Sequence, residues 1–156
     1  MKKIFVMILA IVAFSSFGLK AAEKTQAEKN FTNQVLNYLR TEGYQPSLDN
    51  DGDVKFKSEG DTYFVICNDY ADGMYVKIMA WLSGAGNSRR TLLEGVNHGV
   101  SSYKFLRAYL DKDNDIVYEC ASYFSNFYQF KELFPRLMSV MKLGEKAIAE
   151  GVQEYN

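Results

Sequence analysis

The chain has 156 residues, 47% hydrophobic and 24% charged, which is enough apolar material for one core and no case for two domains. Its formal net charge is -1, so it lacks the basic footprint that nucleic acid demands. Aromatic residues reach 15%, an excess that belongs in a core, at an interface, or in both.

The N-terminus reads as an address rather than as fold. Met1-Lys2-Lys3 is a positive lead, and Ile4 to Phe17 is an apolar run too short and wrongly flanked for a spanning helix. Ser16-Phe17-Gly18 supplies small residues for cleavage after Gly18, with Ala21 and Ala22 as later alternatives. Residues 1–18 are therefore expected to be a signal peptide, with cleavage as late as residue 22. Residues 23–156 are expected to be one exported domain, periplasmic or extracellular, without a stable membrane anchor. Losing Lys2 and Lys3 makes the mature chain more acidic still.

A helix is expected over 24–42, because Phe31, Val35 and Leu39 repeat every four residues with Ala27 and Leu36 beside them. Gly43 and Pro46 end it. Strands follow at 54–58, 63–68 and 74–82, linked by Glu59-Gly60 and by Asp69 to Gly73, so they form an antiparallel meander. A second helix spans about 88–99, capped by Asn87 or Ser88. Strands at 103–110 and 116–123 flank the polar turn Asp111 to Asp115. A last helix covers 130–152, with Pro135 required in its first turn if it is not to kink. The order α-β-β-β-α-β-β-α predicts an α+β domain with a five-stranded antiparallel sheet and three helices.

The run DGDVKFKSEGDTYFVICNDYADGMYVKI, the helix end LLEGVNHGV and the segment SYKFLRAYLDKDNDIVYECAS resemble the YbjN-like family of bacterial sensory transduction regulators. The matching features are the turn and strand at Asp51 to Phe56, the Val96-Asn97 pair, and the hairpin at Asp111 to Asp115. The resemblance covers about residues 30–152. It implies the fold of type III secretion chaperones, which are small, often dimeric and non-enzymatic. The export segment departs from many members and argues against a cytoplasmic regulatory role here.

The usual site chemistries are poorly supplied. His98 is the only histidine, and no nucleophile or orienting partner stands near it in sequence; next to Gly99 it reads as an exposed residue at a fraying helix end. Asp111, Asp113 and Asp115 have the spacing of a calcium loop, but Ile116 and Ser122 occupy the places of its glycine and glutamate. Asp49 to Gly52 fails likewise, and hairpin turns explain both clusters better. Gly84-Ala85-Gly86 before a helix, with Arg89 and Arg90 following, is too little for a phosphate loop. One histidine and two distant cysteines make no zinc set. If Cys67 and Cys120 were bridged, chain entropy would give about 4 kcal/mol, but each reads better as a small buried hydrophobe. No enzyme, metal or cofactor is expected.

The aromatic excess carries what functional signal there is. Met74, Val76, Ile78, Ala80 and Leu82 alternate with Tyr75, Lys77, Met79 and Trp81. Leu106, Ala108 and Leu110 alternate with Tyr103, Phe105, Arg107 and Tyr109. The first set of each pair is core. The second set is aromatic where a solvated sheet face would be polar, so that face should be covered. The chain's own helices are the first candidate for the cover, then a protein partner or a second copy, then a ligand. The expected function is non-enzymatic binding of another protein or of a second copy, chaperone-like in the cell envelope, with Tyr75, Trp81, Arg107 and Tyr109 as anchors. A small-ligand binder using a cavity between the first helix and the sheet is the alternative, and an envelope enzyme the next.

Overall fold

Thr25 opens the first helix with a capping box: its hydroxyl accepts from the Glu28 N–H, and the Glu28 carboxylate accepts from the Thr25 N–H at 2.8 Å. The computed structural model that shows this describes residues 23–156, so the expected signal peptide lies outside the described residues. The elements are α1 (Gln26–Thr41), β1 (Ser47–Leu48), β2 (Val54–Ser58), β3 (Asp61–Tyr70), β4 (Gly73–Leu82), α2 (Arg89–Ser102), β5 (Leu106–Leu110), β6 (Ile116–Phe124) and α3 (Phe127–Glu154). Helix α1 ends in a Schellman turn, with Tyr44 N–H on the Leu39 carbonyl and Gly43 N–H on that of Arg40. Gly43 takes φ 89°, which is why glycine stands there.

The sheet is antiparallel and has six strands in the order β1-β2-β3-β4-β6-β5, not the five expected. The extra strand is the two-residue β1, which pairs Ser47 with Lys55 and Leu48 with Val54. It follows Pro46 and is too short to show an alternating pattern. Such a stub suits a sheet edge, where a long strand would invite pairing with another chain. Three smaller corrections follow. Strand β5 starts at Leu106 because Tyr103 caps α2 and packs against the core. Helix α3 starts at Phe127, with Asn126 accepting from the Gln129 N–H, so Pro135 lies well inside the helix rather than in its first turn. His98 lies within α2 and is part-buried, with Nδ1 2.8 Å from the Ala147 carbonyl of α3. It joins two helices instead of fraying.

All three helices pack on one face of the sheet. Phe31, Val35 and Leu39 of α1, Leu92 of α2, and Phe130, Phe134, Leu137 and Met141 of α3 share one core with Val54, Phe56, Val65, Val76, Ile78, Leu106, Ile116 and Phe124. The expectation that these helices cover the second face is therefore wrong among the described residues. An amphipathic stripe tells that a helix is buried, but not on which face of a sheet.

The two aspartate clusters are turns of one design. The Asp49 carboxylate accepts from the N–H groups of Asp51 and Asp53, and that of Asp111 from Asp113 and Asp115. The fourth position is left-handed in both, Gly52 at φ 76° and Asn114 at φ 62°. The lead carboxylate is thus occupied by backbone donors. Asp111→Ala is expected to cost about 1 kcal/mol, read as a lower urea midpoint with an unchanged slope.

Cys67 and Cys120 are buried, free thiols. They sit on β3 and β6 with β4 between them, so two strand spacings, about 10 Å, separate the backbones and forbid a bridge. Burial pushes each thiol up to about 12.

Candidate functional site

The second face is open among the described residues, and strand alternation builds it. Lys55 and Lys57 come from β2, Phe64 and Ile66 from β3, and Tyr75, Lys77, Met79 and Trp81 from β4. Val117, Glu119, Ala121 and Tyr123 come from β6, and Arg107 and Tyr109 from β5. Cross-strand register sets them in rows. One row runs Lys55, Phe64, Met79, Glu119, Arg107; the next holds Trp81, Val117 and Tyr109. Tyr75 pairs with Tyr123 farther along.

Two aromatic groups mark the ends of the face. Trp81 meets Phe64 edge-on with ring centroids 5.2 Å apart, and Lys55 Nζ lies 5.6 Å from the Phe64 centroid. Arg107 stacks over Tyr109 at 5.4 Å. At the other end Tyr70, Tyr75 and Tyr123 form a cluster with centroid distances of 4.9 to 6.0 Å. Burial and the nearby Glu119 carboxylate raise the Tyr75 phenol above its ordinary value. Trp81 is 43% exposed and Tyr123 63%, a large apolar exposure for one sheet face.

Between the ends lies Glu119, 2% exposed although it points to the open side. Arg107 Nη1 donates to Oε1 at 3.0 Å, and Lys77 Nζ stands 4.0 Å from Oε2. Met79 and Val117, on the same side of the sheet, are buried as well. Of the four expected anchors, the structure gathers Trp81, Arg107 and Tyr109 into adjacent rows. Tyr75 is six residues from Trp81 along β4, about 20 Å away. Glu119, Tyr70, Tyr123 and Phe64 were not singled out by the sequence reading. The alternation of β6, like that of β4, is the signal that marks Glu119 and Tyr123.

A sizeable cavity among the described residues lies elsewhere. It is an open cleft of about 760 Å³ beside the start of α1, lined by Lys24, Lys29, Thr32, Asn50 and Gly52, with Leu48 as its aliphatic wall. Its size suits a small ligand, and apart from Leu48 and Gly52 its lining residues are polar or charged side chains that contribute their aliphatic stems as well as their polar ends.

A second polar cluster sits under α3 on the helix side. Tyr118 donates to Glu145 Oε2 at 2.8 Å, and the buried Tyr63 hydroxyl beside them has no hydrogen-bond partner among the described residues. Burial raises the Glu145 carboxyl above its ordinary value, and the same cause pushes Tyr63 up to about 12. The folded state therefore holds the Glu145 proton longer than the unfolded state does. Its effect on stability is lost as pH rises through the carboxylate range. Glu145→Gln keeps an acceptor for Tyr118 and is expected to flatten that part of the stability–pH curve, measured by thermal melts across it.

Among the described residues no three His, Cys, Asp or Glu groups converge as a metal set, and no helix is long and apolar enough to cross a membrane. The fold and the face together define a small α+β protein with helices on one side of its sheet and aromatics on the other. No known family profile matches the chain, and no curated protein does. Among solved structures it is distantly similar to the crystal structure of YbjN from E. coli, a proposed transcription regulator. The TM-score is 0.48 at 13% identity, over 78% of this chain and 88% of that one.

Proposed function

We propose that this chain is a non-enzymatic binding protein that docks another protein on the open face of its sheet. The observation that carries the reading is the asymmetry of the sheet. One face is buried under three helices, while the other displays Trp81, Tyr109, Tyr70 and Tyr123 to solvent among the described residues. Exposed aromatics with an adjacent arginine are the residues on which binding energy concentrates. Trp81, Tyr109 and Arg107 anchor one end, and Tyr75 belongs to the other. The N-terminal segment supports an exported location, in the envelope or beyond it. A chaperone-like role there is the finer form of the proposal.

Trp81→Ala combined with Tyr109→Ala removes two exposed rings and is expected to leave the fold intact. It should weaken partner binding about a hundredfold or more, by titration calorimetry against a partner recovered from the envelope fraction. Unchanged affinity with an unchanged melt defeats the proposal. Light scattering over a concentration series tells whether a second copy occupies the face first.

A further inference from the structure

The charges of this molecule are sorted by face. The open face carries Lys55, Lys57, Lys77 and Arg107. Its one acid, Glu119, is buried and already paired with Arg107. Three acids at the ends of the strands are engaged from the helix side: Asp69 accepts from the Thr25 hydroxyl that caps α1, Asp53 pairs with Lys24 just before α1, and Glu59 pairs with Lys142 of α3. A chain whose formal charge is -1 thus presents a cationic, aromatic surface.

We infer that the partner of the open face is an acidic polypeptide segment bearing aromatic or aliphatic side chains. This rests on the reading of that face as the docking surface and adds the chemistry of its occupant. Charge complementarity selects the partner. It also argues against a symmetric face-to-face dimer, which would set the four cations of one copy against the four of the other. Lys55 and Lys57 are exposed, and neither pairs with an acid among the described residues. They are free to meet carboxylates, while the two aromatic ends take up apolar side chains.

Trp81 is the only tryptophan in the chain and stands on this face, so its emission reports occupancy directly. The probes are a random copolymer of glutamate and tyrosine, the matching lysine–tyrosine copolymer, polygalacturonate, and phosphatidylglycerol vesicles. Emission is excited where tyrosine does not absorb. The glutamate–tyrosine copolymer is expected to change it in a saturable way that weakens with added salt, and the lysine–tyrosine copolymer to leave it unchanged. Lys55→Glu with Lys57→Glu should weaken binding about tenfold or more. Arg40→Glu with Arg136→Glu makes the same change of charge on the helix side and should not. Equal response to both copolymers, no response to the acidic one, or indifference to the Lys55/Lys57 reversal overturns the inference. Tighter binding of polygalacturonate or of vesicles overturns it in favour of an anionic sugar or lipid. A dimer that buries Trp81 overturns it in favour of a second copy. If the acidic partner fails while Trp81→Ala with Tyr109→Ala still abolishes binding of a recovered protein, the docking surface stands and only its charge preference falls.

Discussion

Phe130→Ala is expected to remove about 3–5 kcal/mol of folding stability, a large share of the 5–15 kcal/mol typical of a domain. Phe130 is fully buried, and its ring is the hub of the aromatic core. The centroids of Phe124, Phe134, Phe127, Phe31 and Tyr38 lie 5.5 to 6.3 Å from it. Those rings come from α1, the end of β6 and α3, so no single element can relax into the hole. The cavity cost adds to the lost transfer energy. Tyr128, two residues away on the same helix, is exposed, and Tyr128→Ala should cost under about 0.5 kcal/mol. Urea unfolding of the pair checks both, and a midpoint for Phe130→Ala within error of the parent would refute the hub assignment.

Structure is most legible in the sequence where one period dominates. Strict alternation in β4 and β5 separated Val76 and Leu106 from Trp81 and Tyr109, and the burial of those strands agrees. Caps and turns were legible where the residue type is decisive, as with Ser88 before α2 and Gly43 after α1. Three things were not legible, each for a physical reason. A two-residue strand has no period, so β1 was invisible and the sheet was read one strand short. Pro135 argued for a late start of α3, because a proline inside a helix forfeits a hydrogen bond; the aromatic packing of Phe127, Phe130 and Phe134 outweighs that loss. The side on which the helices pack is a tertiary choice that amphipathicity leaves open. That choice decides the site, because it leaves the aromatic face open.

Gly95→Leu is expected to cost about 3 kcal/mol or more, although leucine is the better helix former by nearly 1 kcal/mol. Helices α2 and α3 cross at glycine. A Cβ on Gly95 would lie 2.9 Å from the Ile148 carbonyl oxygen and closer still to Val152 Cγ2, and one on Gly151 would lie 2.7 Å from His98 Cβ. The Ile148 oxygen is backbone and cannot swing aside, so the helices must part. Parting them strains the His98–Ala147 bond and the Thr91–Tyr155 bond that tie α2 to α3. It also disturbs β5, which follows α2 after Tyr103 and seats Leu106 against Gly144 of α3. β5 is an edge strand and carries Arg107 and Tyr109, so the damage should reach the open face from behind. The expected signature is a lower melting temperature, with β5 amides exchanging faster than those of β3 well below the melt. Asn97→Ala, on the exposed side of α2, should instead be neutral or slightly stabilising. Uniform exchange in Gly95→Leu would mean that the helix crossing supports the whole sheet equally and that the binding edge has no separate dependence on it.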